Sequence, residues 1–265
     1  MTSNTSPDYD AKAYAAERPT YTPELQSLIL DYHQGGRDLA VDVGTGTGQM
    51  ATLISGDFKT IHAYDALPAM IEQAIAIPNV KYGVSKAENL PEKDGTVDLI
   101  VSAEAAHWFD PKAFEAEVTR LLRPGGTVAL VGYSWMHILD HPTISEVIKD
   151  LGQGRFGSYW AQGREVLDGR YAVYTFPSLR DVDRKTWEGR EGHAGVMGEQ
   201  SLTPASLRAF LRTWSPYKKW KEMGAPGKDP IDEVIELIRN AGIAEDESFR
   251  IAWDQVLVLA RKPLE

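Results

Sequence analysis

The sequence has 265 residues and a formal net charge of −10, with 28 Lys and Arg against 38 Asp and Glu. Such a negative surface repels a polyphosphate backbone, which makes nucleic acid a poor candidate partner. No apolar run approaches the roughly 20 residues that span a bilayer, so we expect no membrane partner. The polar start, residues 1–7, lacks the profile of a secretion signal, and the absence of cysteine excludes disulfides and a thiolate nucleophile. We therefore expect a cytoplasmic protein.

Strands and helices alternate along the first half of the sequence. A helix is predicted over 9–18 and another from Pro23 to about Tyr32. Short apolar runs then predict strands at 39–43, 60–64, 80–84, 97–101 and 127–131, separated by helices at 48–55, 68–76 and 114–122. Strands joined by helical crossovers form a parallel, doubly wound sheet. We predict an α/β fold with a mostly parallel, seven-stranded sheet.

The pattern changes after Gly132. Helices are predicted over 137–149, 203–214 and 230–241, and strand composition returns at 249–259. We interpret the chain as a lid and ligand-binding core at 1–134, a helical substrate-binding cap at 135–248, and a final strand at 249–265 that returns to the edge of the core sheet. His137 and His141 suggest a metal hypothesis, but Pro142 disrupts a helical ligand pair, so we predict no metal site.

A glycine-rich loop, Gly44-Thr45-Gly46-Thr47-Gly48, follows the first predicted strand and precedes a helix. An open α/β sheet binds ligands at this position, where glycine lets the backbone approach the ligand closely. Asp65 ends the second predicted strand, where an acidic side chain can bind two ribose hydroxyls. A dinucleotide fingerprint would need glycine at position 49, where the sequence has Gln49. An NAD-linked dehydrogenase is therefore disfavoured.

Two further motifs flank the end of the fourth predicted strand and the start of the fifth: A-A-H-W-F-D at 105–110 and L-L-R-P-G-G-T at 121–127. With the glycine loop, they resemble the ordered motifs of class I S-adenosylmethionine-dependent methyltransferases. Segments 14–21, 159–164 and 212–215 are similar to the trans-aconitate methyltransferase family, although Ala161 and the direct Gln162-Gly163-Arg164 join replace that family's Glu and Pro. The resemblance implies a Rossmann-like fold that binds S-adenosyl-L-methionine and releases S-adenosyl-L-homocysteine.

The same resemblance implies which residues hold the cofactor. Tyr14 and Arg18 would fold over its amino-acid end from the lid, the glycine loop would pass beneath it, and Asp65 would hold the ribose. The implied cofactor-binding set is Tyr14, Arg18, Gly44, Thr45, Gly46, Gly48, Asp65, Ala66, Ala87, Glu88, Glu104 and Trp108.

The expected chemistry is an in-line methyl transfer, which depends mainly on positioning the reactants. A carboxylate acceptor is already ionised near pH 7 and needs no base, whereas a hydroxyl, amine or thiol acceptor would gain from one. His107 is the candidate catalytic base, because it is the histidine at the ligand-binding edge of the sheet; orienting the substrate is its alternative role. Trp108 could stabilise a sulfonium by cation–π contact or could belong to the core.

Aromatic residues are frequent in the predicted cap and suggest a flat or apolar substrate wall, with ordinary core filling as the alternative. Arg155 and Arg164 flank Tyr159 and Trp160, and either arginine could bind a substrate carboxylate or form a surface ion pair. The predicted substrate-binding set is Tyr133, Trp135, Tyr159, Trp160, Arg164 and Trp214.

Three functional hypotheses follow. The first is O-methylation of a small organic acid, similar to trans-aconitate, at a carboxylate. The second is N-, S- or C-methylation of an aromatic or quinone metabolite, and the third is a protein that binds the cofactor without methyl transfer. A small molecule is the expected partner in each, and the protein would be a monomer or a homodimer.

Overall fold

Within residues 21–192, 195–198 and 200–265, which the computed structural model describes, eight strands form one sheet. They are β1 (Leu39–Val43), β2 (Thr60–Asp65), β3 (Val80–Val84), β4 (Val97–Ala103), β5 (Leu122–Ile138), β6 (Arg180–Trp187), β7 (Gln200–Leu202) and β8 (Phe249–Arg261). Seven of them follow the order β3-β2-β1-β4-β5-β8-β6, and β7 pairs separately with β8.

Strands β1 to β5 pair in parallel, with Leu39 opposite Thr60 and Leu99 opposite Thr127. β8 is antiparallel to both of its long neighbours, β5 and β6. The prediction of a mostly parallel, doubly wound α/β sheet is confirmed, but the described sheet has eight strands rather than the predicted seven because the short β7 also pairs with β8. Because the carboxyl ends of the parallel strands share one edge, the loops after β1, β2 and β4 meet there.

The last strand, β8, was predicted at the edge of the sheet. It lies instead between β5 and β6. Segment 135–248 is also not purely helical: it supplies β6 and β7, and β5 continues through His137 to Ile138. β6 was not predicted from the sequence because its residues, RDVDRKTW, are charged and largely exposed, which is typical of an edge strand.

Nine α-helices surround the sheet in the described part of the chain. They are α1 (Pro23–Tyr32), α2 (Gln49–Ile54), α3 (Pro68–Ile71), α4 (Pro111–Leu121), α5 (Pro142–Asp150), α6 (Arg164–Asp168), α7 (Pro204–Arg212), α8 (Ser215–Glu222) and α9 (Pro230–Asn240). Capping side chains define where several of these helices begin. Asp110 accepts from Ala113 N at the start of α4, and Thr203 and Ser206 form a capping box at the start of α7. Among these helices, none is long and apolar enough to cross a membrane.

Two apolar clusters cover the two faces of the sheet. Alternation along β5 sends Ala129 and Val131 into one cluster and Val128 and Leu130 into the other. The first cluster continues into the helices of segment 135–248, for example through Leu207 of α7. These helices are therefore packed onto the sheet as part of one core, which fixes the residues they carry relative to the strand ends.

Candidate functional site

The glycine loop lies directly after β1 and forms a narrow backbone cradle. Gly44, Gly46 and Gly48 have φ angles of +69°, +58° and +98°, which glycine adopts with little strain. A Cβ at Gly44 would lie 2.3 Å from the Cβ of Ala105, and a Cβ at Gly48 would lie 2.3 Å from Tyr82 Oη. The sequence therefore needs glycine here for close approach as well as for conformation.

Asp65 lies at the end of β2 and is joined to the cradle. Its Oδ2 accepts from Gly46 N at 2.9 Å, and its Oδ1 accepts from Leu67 N at 2.9 Å. Burial raises the pKa of Asp65. Each oxygen of the ionised carboxylate can accept a further hydrogen bond, which is what two ribose hydroxyls require. Ala66, next to it, is exposed.

Asp42 of β1 is a second acidic group under the loop, and it was not among the predicted site residues. Its Oδ2 accepts from Thr45 Oγ1 at 2.6 Å and from Ala51 N at 3.0 Å, while its Oδ1 is buried without a hydrogen-bond partner. Burial raises the pKa of Asp42 to about 7. Tyr82 Oη is likewise buried without a partner. Two acidic groups below a positive-φ glycine cradle fit a ligand that carries positive charge and hydroxyl groups.

Ala87 and Glu88, two members of the implied cofactor-binding set, lie in the loop after β3. Ala87 is buried in an apolar cluster, and Glu88 Oε1 accepts from Asp110 N at 3.0 Å. This hydrogen bond ties the loop that follows β3 to the start of α4.

An inner cavity of about 70 Å³ opens beside the end of β4. Glu104 lines it with a φ of +56°, a strained conformation for a residue with a side chain. Its Oε2 accepts from Tyr133 N at 2.7 Å, which fixes the carboxylate at the wall. Trp108 also lines this cavity and is 47% exposed. The remaining lining residues are Tyr133, Ser134, Trp135, Trp160, Arg164, Phe210, Trp214, Ser215 and Trp253.

Aromatic rings form most of the cavity wall. The Trp160 ring lies 6.4 Å from that of Trp135, at 88°, and 5.5 Å from that of Trp214. Trp160 Nε1 donates to Gly152 O at 2.7 Å, so this ring is anchored. An outer cleft of about 520 Å³ shares three of these residues, Trp135, Trp160 and Arg164, with the inner cavity.

Arg164 lies between the two shared tryptophans. Its Cζ is 4.2 Å from the ring centre of Trp135 and 4.4 Å from that of Trp160. Nη2 lies 2.9 Å from Asp168 Oδ1 as an ion pair, yet Nη2 and Nε are buried and make no hydrogen bond of good geometry. Gly163, which precedes Arg164, has a φ of +100°, and a Cβ there would lie 1.9 Å from His107 O. α6 and its arginine are therefore packed tightly against the loop after β4.

Three predicted residues lie away from the cavities. His107 lines neither cavity; its Nδ1 lies 3.4 Å from the buried Tyr171 Oη. Tyr159 packs against the apolar core, and Arg155 forms an exposed ion pair with Glu233. Neither Tyr159 nor Arg155 lines the cavities, because the turn that carries Tyr159 packs inward and the acidic partner of Arg155 is on the surface of α9.

Two other predicted residues, Tyr14 and Arg18, lie outside the described residues. Phe210 and Trp253 line the inner cavity but were not predicted, because α7 and β8 reach it only through the tertiary fold. Asp42 did carry a signal in the sequence, as a lone carboxylate in an apolar strand directly before the glycine loop. Within the described residues, no group of three His, Asp or Glu side chains could hold a metal ion.

Comparison with known proteins gives the family. Residues 41–130 match the family described as a methyltransferase domain. A Dictyostelium discoideum protein named as a methyltransferase is 32% identical over 87% of this chain and 84% of its own. A Saccharomyces cerevisiae protein named as an S-adenosylmethionine-dependent methyltransferase is 26% identical over 98% of both chains.

Solved structures agree on the fold. A type II methyltransferase from Anaeromyxobacter dehalogenans superposes with a TM-score of 0.76 at 27% identity, covering 93% of this chain and 99% of its own. A Bacillus subtilis protein at 19% identity shares the fold with a TM-score of 0.54, covering 91% of this chain and 99% of its own. The matched domain contains the glycine cradle, Asp65 and the loop after β4, and so the protein belongs to the class I S-adenosylmethionine-dependent methyltransferases.

Proposed function

We propose that the protein methylates a carboxylate of a small organic acid. The observation that carries this proposal is the Arg164 guanidinium, which lines an aromatic cavity and has two buried nitrogens without good hydrogen-bond acceptors. A planar guanidinium matches a carboxylate, which accepts two hydrogen bonds at once, and the Nε of Arg164 has no hydrogen-bond partner in the structure.

The cofactor would be held by the cradle and its two acidic neighbours. Gly44, Gly46 and Gly48 would let the backbone approach its amino-acid end, Asp65 would accept from the ribose hydroxyls, and Asp42 would hold the loop in place through Thr45 Oγ1. When bound, S-adenosyl-L-methionine supplies the methyl group: an acceptor oxygen forms a bond to its carbon, the carbon–sulfur bond breaks, and that electron pair stays on sulfur.

The protein itself would contribute by positioning the acceptor and by excluding water from the cavity. Arg164 would orient the acceptor carboxylate, and the surrounding rings would exclude water, which strengthens charge interactions inside the cavity. A carboxylate needs no proton removed before it reacts. His107 would then act on the loop geometry through its contact with Tyr171, and the burial that raises the pKa of Tyr171 keeps that phenol protonated.

A second candidate is N-, S- or C-methylation of an aromatic metabolite. It is favoured by the wall itself, since Trp135, Trp160 and Trp214 offer ring faces and edges for stacking. In that case His107 would be needed as a base or as a substrate contact.

The deciding experiment is methyl transfer from labelled S-adenosyl-L-methionine to a panel of small acids, phenols, amines and thiols. Base-labile label that appears only with acids supports the carboxylate proposal, because methyl esters are hydrolysed by base and methyl ethers are not. Base-stable label on phenols, amines or thiols contradicts it and favours the second candidate.

A further inference from the structure

We infer, building on the proposed carboxylate methylation, that the acceptor is a flat and largely apolar acid with a single carboxylate. The two cavities are lined by many aromatic rings and by few charges. The type and position of those charges determine how many carboxylates of one acceptor the cavities can accommodate.

The cavities offer one position for an anion. Among the residues that the structure describes, Arg164 is the only basic side chain that lines either cavity. The acidic lining residues are Glu104 in the inner cavity and Glu165 and Asp168 in the outer cleft. A second carboxylate on the acceptor would therefore approach negative charge on either side of Arg164, and like charges repel strongly in an enclosed cavity.

The Arg164 cation is also already oriented. Its guanidinium contacts the Trp135 and Trp160 rings at 4.2 and 4.4 Å, and the ion pair with Asp168 holds one end of it. A cationic acceptor would compete with this resident cation for the same ring faces, so the aromatic wall does not favour an amine or a quaternary ammonium. An anion, in contrast, meets a donor that loses little rotamer freedom on binding.

The remaining wall recognises an apolar body. Tyr133, Phe210 and Trp253 are almost fully buried and pack edge to face, with ring centres 5.0 Å apart at 63° for Tyr133 and Trp253 and 5.2 Å apart at 66° for Phe210 and Trp253. Rings fixed in this way present both faces and edges to the cavity, and a planar apolar group can pack against either.

Methylation of a single carboxylate would also remove the charge that Arg164 recognises. The ester is neutral, so the product loses the charge-assisted hydrogen bonds that held the acid, and product release follows from the chemistry itself. A tricarboxylate would remain a dianion after one methylation and would still be attracted to the arginine.

The test compares binding of three probes to the intact protein saturated with S-adenosyl-L-homocysteine: trans-cinnamate, cinnamyl alcohol and trans-aconitate. Five of the seven tryptophans line the inner cavity, so quenching of tryptophan fluorescence reports occupancy directly, and calorimetry gives the affinity. We expect cinnamate to bind about tenfold or more tightly than either of the other probes.

Variants identify the residue responsible. Arg164→Gln should abolish the preference for cinnamate over its alcohol, and Arg164→Lys, which keeps the charge and is the less disruptive change, should reduce it. Arg155→Gln is the matched control, since Arg155 forms an exposed ion pair outside the cavities and its loss should leave the preference unchanged. Tighter binding of aconitate than of cinnamate, or a preference that survives both Arg164 variants, would overturn the inference.

Ester formation is scored separately, so the two proposals fail in different ways. Base-labile label on aconitate but not on cinnamate would leave carboxylate methylation standing and refute the single-carboxylate class. Tight, Arg164-dependent binding of cinnamate together with base-stable label on other acceptors would support recognition of one anion and refute carboxylate methylation.

Discussion

The buried carboxyl of Asp42 allows a quantitative prediction of how the free energy of unfolding depends on pH. The side chain is fully buried, and one of its oxygens has no hydrogen-bond partner. Desolvation therefore disfavours its ionised form and raises its pKa from 3.8 to about 7. The change to test is Asp42→Asn in the protein without cofactor. The Asn oxygen can still accept from Thr45 Oγ1 and Ala51 N, as Asp42 Oδ2 does.

The direction in which stability changes with pH follows from proton binding to the native and unfolded states. Between pH 3.8 and about 7 the native state holds a proton on Asp42 that the unfolded chain has released. The free energy of unfolding therefore falls as pH rises through this window and levels off above it. At about 1.4 kcal/mol per pH unit, the shift corresponds to an upper bound of about 4 kcal/mol lost by the wild type and not by the variant.

The measurement is urea unfolding of both proteins at pH 5 and pH 8. Because the window between pH 5 and about 7 covers about two pH units, we expect the wild type to lose up to about 3 kcal/mol more than the Asp42→Asn variant between pH 5 and pH 8. The matched control is Asp98→Asn: Asp98 is also fully buried, but its Oδ1 lies 3.1 Å from Arg123 Nη1. Removing that charge should destabilise the protein at pH 8, because the partly exposed Arg123 guanidinium then loses its nearest carboxylate partner. Parallel pH profiles for wild type and Asp42→Asn would refute the reasoning.

Three other predictions concern the cofactor and the reaction. Gly48→Ala should weaken S-adenosyl-L-methionine binding in calorimetry by about tenfold or more, because its Cβ would lie 2.3 Å from Tyr82 Oη; Gly95→Ala, also at positive φ but with nothing within 4 Å, should not. Asp65→Ala should lower cofactor affinity several-fold in the same assay, and an unchanged affinity would be inconsistent with a ribose contact. His107→Gln should reduce kcat for an acid acceptor by less than about tenfold; a loss of about 10²–10⁴ would instead identify His107 as the base.

The parts of the fold that were predicted correctly are those set by local sequence. β1 and β3 have the predicted bounds, β2 and β4 extend slightly past theirs, and β5, predicted at 127–131, runs from Leu122 to Ile138. Short apolar runs between glycine-rich turns determine such strands almost independently of the rest of the chain. The cradle was predicted for the same reason, since Gly44, Gly46 and Gly48 are adjacent in sequence and directly follow β1.

The parts that were missed depend on pairing between distant segments. β6 has an edge-strand composition, so nothing local distinguishes it from a polar loop, and its existence depends on β8 lying beside it. In the same way, Trp253 and Phe210 reach the cavity from β8 and α7. Arg155 and Arg164 looked equivalent in sequence, and only the position of Glu233 on α9 makes one of them a surface residue.

The interior position of β8 has a consequence for biosynthesis. On the ribosome, the 17 residues of β5 are complete long before β8 emerges, and until then the apolar β5 presents an unpaired edge. β6 has no partner either during this interval, because its ladder in the sheet is made with β8. A nascent chain stopped before residue 249 would thus lack the piece that joins the two parts of the sheet. Emergence of β8, rather than emergence of the cofactor-binding segment, is the point at which the sheet can close and the exposed edge of β5 can be paired.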